Sequence, residues 1–251
     1  MKGIVKYCIL LILSLTPLHL LMGQNNDMSG TLLTEADELI VSGKLQEALD
    51  KTQQFISTYP DNLEAIKKRI NICFLMNNQK VAAEYADEAL KRFNDISELY
   101  YLRGIINNAR QKYTKSLDDF TEAIELKPGA DLYKCYLGRG VCYLNLLEYD
   151  NALADFTSSI ELNDTVASAY HSRAMVNYET KDYAAAVNDF LKTLELSEGN
   201  SAIYFNLGMS YFRLNENTKA CPYFNKACTM GNTNACRMTL MECTKTIPEI
   251  P

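Results

Sequence analysis

The stretch from Tyr133 to Val166, YKCYLGRGVCYLNLLEYDNALADFTSSIELNDTV, contains two segments with helical periodicity. The first segment, Tyr136 to Leu147, carries the small residue Gly140, and the second runs from Tyr149 to Leu162. One face of the second segment, at the spacing i, i+4, i+7 and i+8, is formed by Ala152, Phe156, Ser159 and Ile160. Neither helix can bury its apolar stripe alone, so we expect the pair to stack on similar pairs.

The same pattern recurs along the chain every 34 residues, with one interval of 36. The small residue of the successive first helices is Ala36, Ile70, Gly104, Gly140, Ala174 and Gly208. The small residue early in the second helices is Ala48, Ala82, Ser116, Ala152, Ala186 and Ala220. The longer interval is a two-residue insertion between Lys127 and Asp131, which we expect to loosen or re-angle the stacking of the third copy on the fourth.

A 34-residue period with Gly or Ala, Tyr, Ala, Phe and Pro in fixed columns resembles the tetratricopeptide repeat. Typical copies are Tyr204-Phe205-Asn206-Leu207-Gly208 leading to Tyr211, and Tyr183-Ala184-Ala185-Ala186 leading to Phe190. The resemblance implies an all-α fold, an α-α superhelix of about six helix-turn-helix repeats plus a C-terminal capping helix. Two departures are Ile70, in a column of small residues, and Thr52, where an aromatic residue usually packs.

The pattern divides the chain into four regions. We predict a signal peptide over 1–23, a short polar linker over 24–30, a tetratricopeptide solenoid over 31–245 and a tail over 246–251. The expected repeats are approximately 29–62, 63–96, 97–132, 133–166, 167–200 and 201–234, followed by a capping helix over 234–245.

The first residues have the form of a secretory signal. Lys2 and Lys6 precede an apolar run that begins at Cys8, and Gly23 is followed by polar residues. We predict cleavage after Gly23 and an exported protein that is periplasmic, envelope-associated or secreted, in a bacterium. An uncleaved membrane anchor is the alternative, and membrane contact is expected only in that case.

Composition and motifs exclude several classes of function. The formal charge is −6, and it falls by two to −8 when Lys2 and Lys6 leave with the signal, so nucleic acid is a poor partner. His171 is the one histidine of the mature chain, and the sequence has no glycine-rich phosphate loop, metal-ligand spacing or GxSxG motif. We therefore predict a non-enzymatic protein with no cofactor, no metal and no small-molecule substrate. Acidic pairs such as Asp118-Asp119 are expected on solvated helix faces.

Four cysteines near the C-terminus predict a cross-linked helical hairpin. Gly231 is expected to end one helix in a left-handed cap, and Asn232 or Thr233 to begin the next. Residues that face each other in an antiparallel hairpin are equidistant from the turn, a relation that Cys228 and Cys236 satisfy, as do Cys221 and Cys243. We predict these two disulfide bonds, with four buried free thiols or, less consistent with the spacing, a zinc site as the alternatives. Cys73, Cys135 and Cys142 are predicted to be buried thiols.

The segment Lys226-Ala227-Cys228-Thr229-Met230-Gly231-Asn232 also resembles the cysteine-rich Sel1-like repeats of secreted bacterial proteins. That resemblance covers only the last twenty or so residues of the array. It implies a second candidate function, because a hydrolase-like activity has been proposed for some proteins of that kind.

The resemblance to tetratricopeptide proteins implies that the first helix of each repeat lines a groove for a protein or peptide ligand. The residues at the groove positions are Tyr101, Ile105, Leu137, Val141, Leu144, His171, Met175, Tyr178, Phe205, Met209 and Phe212. This aromatic and methionine-rich set suits an apolar or extended segment. Alternatively, several of these side chains pack against neighbouring helices.

A carboxylate clamp found in some family members is a further possibility, with partial support. Lys67, Asn71 and Lys134 fall in its columns, whereas Leu102 and Gly138 replace the other two residues. The favoured function is an exported scaffold that binds a protein segment in its groove. The alternatives are a Sel1-like hydrolase and a self-associating structural spacer, and the sequence does not specify the oligomeric state.

Overall fold

The computed structural model describes residues 31–127 and 131–243. The predicted signal peptide, the linker, the core of the insertion at 128–130 and the tail therefore lie outside the described residues. All regular secondary structure in the described ranges is helical. These residues form two compact units, the first ending at Asn94 and the second beginning at Asp95.

The first unit contains two helical hairpins. Its helices are α1 (31–41), α2 (Leu45–Thr58), α3 (Leu63–Leu75) and α4 (Gln79–Leu90). Asparagines begin the last two, because the side chain of Asn62 accepts a hydrogen bond from the Ala65 amide (2.9 Å) and Asn78 accepts one from the Val81 amide. Phe55, Ile56 and Ala65 form a buried cluster between α2 and α3.

The large side chain of Ile70, in a column of small residues, is accommodated by a small residue, Ala86, in the same hairpin. Ile70 lies on α3 where other repeats have glycine or alanine, and Ala86 lies on α4 where four other repeats have phenylalanine. Both side chains are fully buried. The large residue has moved from the second helix to the first, which conserves the volume of the core.

The second unit contains four hairpins and a cap. Its helices are α5 (Ser97–Ala109), α6 (Tyr113–Glu125), α7 (Leu132–Asn145), α8 (Tyr149–Leu162), α9 (Ala167–Glu179), α10 (Tyr183–Leu196), α11 (Ser201–Arg213), α12 (Asn217–Thr229) and α13 (Thr233–Met238). A π-helical turn, Thr239–Cys243, follows α13. Successive helices from α5 to α13 pack against one another, which is the arrangement of a helical-repeat solenoid.

The two helices predicted from the opening stretch are α7 and α8. Helix α8 has the predicted bounds, whereas α7 begins at Leu132 and ends at Asn145, not at Tyr136 and Leu147. The earlier end has a local cause, since the backbone of Leu147 is left-handed (φ 62°) and cannot continue an α-helix.

The column of small residues is explained by a row of phenylalanines. A Cβ atom placed on Gly140 would lie 2.7 Å from the ring of Phe156, and one on Gly208 would lie equally close to Phe224. Phe156 and Phe224 are completely buried. Each ring thus lies directly on the backbone of the first helix, where no side chain fits.

The helices on either side of the insertion, α6 and α7, are in contact within the described residues. The ring of Phe120 on α6 lies against the backbone of both Gly104 on α5 and Gly138 on α7. The thiol of Cys142 on α7 donates to the hydroxyl of Ser116 on α6 at 3.1 Å. The third and fourth repeats are therefore joined by both apolar packing and a hydrogen bond.

Two disulfide bonds hold the C-terminal cap, and they are the pairs that the sequence predicts. Cys221 on α12 is bonded to Cys243, and Cys228 is bonded to Cys236 on α13, with Cα–Cα distances of 5.6 and 4.6 Å. Gly231 has a positive φ of 88°, as expected for the turn. The cap differs from the predicted continuous helix over 234–245, because it changes to a π-helical turn after Met238.

The fold class predicted from the sequence, an all-α helical-repeat solenoid, is confirmed. None of the helices in the described ranges has the length and apolar character needed to span a bilayer.

Candidate protein-binding face

The first helices of the repeats in the second unit lie side by side. Helix α5 contacts α7, and α7 contacts α9. The amide of Asn206 on α11 lies 3.2 Å from the sulfur of Met175 on α9, which joins the fourth helix to the row. We call the surface of α5, α7, α9 and α11 that carries the eleven predicted groove residues the first-helix face. All eleven side chains are partly exposed, neither fully buried nor free in solvent.

One row of this face lies above the buried phenylalanines. The ring centroid of Tyr101 is 6.0 Å from that of Phe120, and the centroid of Phe205 is 6.0 Å from that of Phe224. His171 meets Phe190 edge-on at 5.9 Å. Leu137 takes the equivalent place against Phe156. These contacts fix the direction of each side chain before any ligand arrives, which reduces the entropy lost on binding.

Several residues of the first-helix face also pack into the core. This agrees with the alternative that their side chains pack against neighbouring helices. Leu137, Val141 and Leu144 contact the buried cluster that contains Phe156. Met175 and Tyr178 contact the cluster that contains Phe190. Each of these side chains remains partly exposed, so packing and lining are roles that the same residue combines.

The middle of the face has no charged side chain. Its three central rows consist of the eleven predicted residues and Asn108. The one residue of this set that could gain a charge near neutral pH is His171, and burial lowers its pKa. The imidazole is therefore neutral at neutral pH, and twelve adjoining positions on four helices offer an uncharged surface.

Charges do occur at the margins of this surface. Lys134 is paired with Asp131 at 2.7 Å, and hydrogen bonding to that carboxylate raises the pKa of Lys134. Arg213 is exposed at the end of α11, where a hydrogen bond with the Tyr178 side chain raises its pKa.

The geometry gives little support to the carboxylate clamp. Lys67 is paired with Glu64 at 3.0 Å, so two of the three matching residues carry acidic partners. Gly138 occupies the arginine position, and any Cβ there would overlap the ring of Phe120. The clamp therefore lacks an arginine in a place where the core leaves no room for one.

Three ion pairs with buried aspartates in the second unit were not predicted from the sequence. In successive repeats Arg103 is bonded to Asp119, Arg139 to Asp155 and Arg173 to Asp189, each through two nitrogens. The aspartate side chains are 4, 6 and 9% exposed. Hydrogen bonding to Asp155 raises the pKa of Arg139, and Asp189 acts in the same way on Arg173. The signal was present as an Arg followed sixteen residues later by an Asp in three repeats.

These pairs correct the interpretation of Asp118-Asp119 as a solvated acidic pair. Asp118 is exposed, but Asp119 is buried and accepts hydrogen bonds from Arg103 and from the amide of Asn107 at 2.8 Å. The arginines also join neighbouring repeats, since Arg139 donates to Thr121 and Arg173 donates to Thr157. Each pair thus fixes the angle between a first helix and the helices around it.

The three free cysteines of the described residues are poor nucleophiles. Cys73, Cys135 and Cys142 are buried, and burial raises the pKa of each thiol, that of Cys135 to about 11. A thiol with a raised pKa is protonated at neutral pH and reacts poorly. Within 31–127 and 131–243, no group of three or more His, Cys, Asp or Glu side chains is placed to hold a metal ion.

Comparison with known proteins agrees with this architecture. Family models of the tetratricopeptide repeat match residues 76–131, 167–200 and 201–230. Residues 76–131 and 167–230 therefore match the tetratricopeptide repeat, a motif of generally non-enzymatic scaffolds that bind proteins or peptides. No curated protein matches the sequence significantly. The similarity to Sel1-like repeats stays a prediction.

Solved structures with a tetratricopeptide superhelix share the fold. PilF of Pseudomonas aeruginosa is 13% identical, with a TM-score of 0.77 over 86% of this chain and 98% of its own. PilW, a type IV pilus biogenesis factor, is 16% identical, with a TM-score of 0.75 over 85 and 98% of the two chains. YrrB, described as having an unusual peptide-binding site, is 20% identical, with a TM-score of 0.60 over 77 and 97%. At these identities the likeness concerns the fold alone.

Proposed function

We propose that this protein is an exported, non-enzymatic scaffold that binds an apolar segment of another protein on the first-helix face. The observation that carries the proposal is the set of twelve uncharged, adjoining positions on α5, α7, α9 and α11, of which eleven are the predicted groove residues. A partly exposed surface of this kind is a common mark of a protein interaction site.

The chemistry of the face indicates the kind of segment it takes. Tyr178, Phe205 and Phe212 offer flat apolar surface with few rotatable bonds, and such residues dominate the energy of many interfaces. Met175 and Met209 can repack around ligands of different shape. A charged residue in the middle of the ligand would lose its hydration without gaining a partner, so selection favours uncharged segments.

Two features support export. The first 23 residues have the order of a secretory signal, with lysines before an apolar run. The disulfide bonds of the cap are of a type that persists in oxidising compartments such as the periplasm.

The double variant Tyr178→Ala plus Phe205→Ala tests the proposal. Each substitution removes a large aromatic contact from the face, so we expect about a tenfold or greater loss of partner recovery in pull-downs from envelope extracts. Quantitative mass spectrometry of the captured proteins would measure it.

A matched control is Tyr113→Ala plus Tyr204→Ala, which removes two partly buried aromatic rings outside the face. Circular dichroism of both double variants would show whether they remain folded to the same extent. If the control loses the same partners as the face variant, or if the face variant keeps them, the first-helix face is not the binding site.

A further inference from the structure

The turn between α7 and α8 carries an exposed apolar pair that the fold does not require. Leu147 has 68% of its surface exposed and Leu146 has 37% exposed. The turns at equivalent places in the second unit have polar residues at the position of Leu147, namely Gln111, Lys181 and Asn215. The turn of the fourth repeat is therefore the exception.

Leu147 is unfavourable in this place for two reasons. Its backbone is left-handed, a conformation that costs free energy for any residue with a Cβ, and leucine has no polar group to offset it. Its side chain is also largely exposed, so apolar burial does not offset the free-energy cost of the left-handed backbone. A residue that is costly both in conformation and in exposure points to a function outside the fold.

A cavity of about 430 Å³ lies beside this residue. It is lined by Leu147, Glu148, Tyr149, Asp150, Asn151 and Thr180. The volume is within the range of side-chain and small-ligand pockets. Two of these residues are carboxylates, and none of the six is a lysine or an arginine.

The acidic residues alone would have an ordinary explanation. Glu148 and Asp150 lie at the N-terminus of α8, where the helix dipole favours negative charge, and Glu148 accepts a hydrogen bond from Asn151 at 2.9 Å. The dipole does not account for Leu146 and Leu147, however. Exposed leucines next to an acidic cavity form a surface with both an apolar and an electrostatic preference.

We propose that this turn is a second docking site, which takes a protein segment with a lysine or arginine next to an aliphatic or aromatic residue. The apolar residue of the partner covers Leu146 and Leu147. Its cation enters the cavity and meets Glu148 and Asp150, so binding weakens as salt concentration rises. This site is separate from the first-helix face, and neither depends on the other.

The test uses an array of short synthetic peptides in which a central pair of residues is varied over all combinations between serine-glycine flanks. We expect the full mature protein to select pairs of one apolar and one basic residue. Leu147→Asn should weaken the selected peptides about tenfold or more, measured by fluorescence anisotropy. The same variant should raise Tm by about 2 °C, because asparagine tolerates the left-handed backbone better than leucine does.

Three further variants separate the causes. Gln111→Asn also places an asparagine at a left-handed turn position, that of the third repeat, and should leave binding unchanged. Asp150→Asn should reduce both affinity and its salt dependence, and Tyr178→Ala should leave this binding intact because it lies on the first-helix face. If Tyr178→Ala loses the partners of the first-helix face but still binds these peptides, the result bears on the first-helix face and leaves the proposal for the turn standing.

Several outcomes would overturn the proposal. Selection of acidic pairs, or of none, would contradict the charge argument. Unchanged affinity in Leu147→Asn would exclude the leucine, and a lower Tm would show that Leu147 serves the fold. Concentration-dependent dimerisation that Leu147→Asn abolishes, measured by analytical ultracentrifugation, would show that a second copy of the chain covers the turn.

Discussion

Replacing Asp155 with alanine is expected to lower the free energy of unfolding of the second unit by about 3–5 kcal/mol. The carboxylate accepts two hydrogen bonds from Arg139, at 2.8 and 2.9 Å, and only 6% of its side chain is exposed. The guanidinium that remains is 18% exposed and would be left without its charge partner. Urea denaturation followed by circular dichroism measures the loss.

The sixth repeat supplies a natural rescue for this variant. There Leu207 and Tyr223 occupy the places of Arg139 and Asp155, and Tyr223 stacks on Tyr211 with ring centroids 5.6 Å apart. The fourth repeat has Tyr143 at the position of Tyr211. The double substitution Arg139→Leu plus Asp155→Tyr should therefore restore most of the stability, since buried ion pairs can often be exchanged for well-packed apolar pairs.

The rescue separates two explanations of the ion pairs. If Asp155→Ala and the double variant are equally unstable, the ion pair contributes a specific geometry that apolar packing cannot replace. If Asp155→Ala is as stable as the wild type, the pair is not effectively buried in solution. Asp118→Ala is the matched control, because this exposed carboxylate should change stability by less than about 0.5 kcal/mol.

Reducing the two disulfide bonds is expected to release the C-terminal cap and to leave the repeats before it folded. The bond that spans 22 residues should contribute about 3 kcal/mol, and the one that spans 8 residues somewhat less. Helix α13 has only six residues, and Ala235 is the one buried side chain between Thr233 and Cys243. So short a helix with so little buried surface is unstable without a covalent link.

Hydrogen exchange measured by mass spectrometry tests this expectation. After reduction, the amides between residues 233 and 243 should exchange at the rate of an unfolded chain, whereas those of α7 to α10 should remain protected. The variant with serine at Cys221, Cys228, Cys236 and Cys243 should behave like the reduced protein and should not respond to reductant. Protection of the cap in that variant would mean that packing, and not the cross-links, holds it.

The parts of the fold that follow from periodicity could be predicted from the sequence. The 34-residue period gives the helical hairpins, and equal distances from Asn232 give both disulfide pairs, because each depends on spacing alone. The bounds of α7 were less accurate, since no periodic signal marks the left-handed backbone of Leu147. The compensation between the large Ile70 and the small Ala86 was not predicted either. Each residue, taken alone, departs from the repeat pattern, and only their common place in one hairpin explains both.

The candidate site was predicted only in part. The eleven groove residues came from the resemblance to tetratricopeptide repeats, and their common partial exposure is consistent with it. The buried state of Asp119 was not foreseen, because an acidic pair on an amphipathic helix normally faces water and only the partner Arg103 reverses that preference. The cavity beside Leu147 could not be predicted from the sequence, because Thr180 from the next repeat forms part of its wall.

Site-specific photocrosslinking in cells tests the central claim, that the first-helix face binds a protein segment, most directly. A benzophenone amino acid in place of Phe205 would lie on the face, and one in place of Asn188 would lie on the exposed side of α10. We expect irradiation to link position 205, and not position 188, to a partner chain whose linked peptide is uncharged. Equal linking from both positions, or none from position 205 while the partner is still recovered, would contradict the claim.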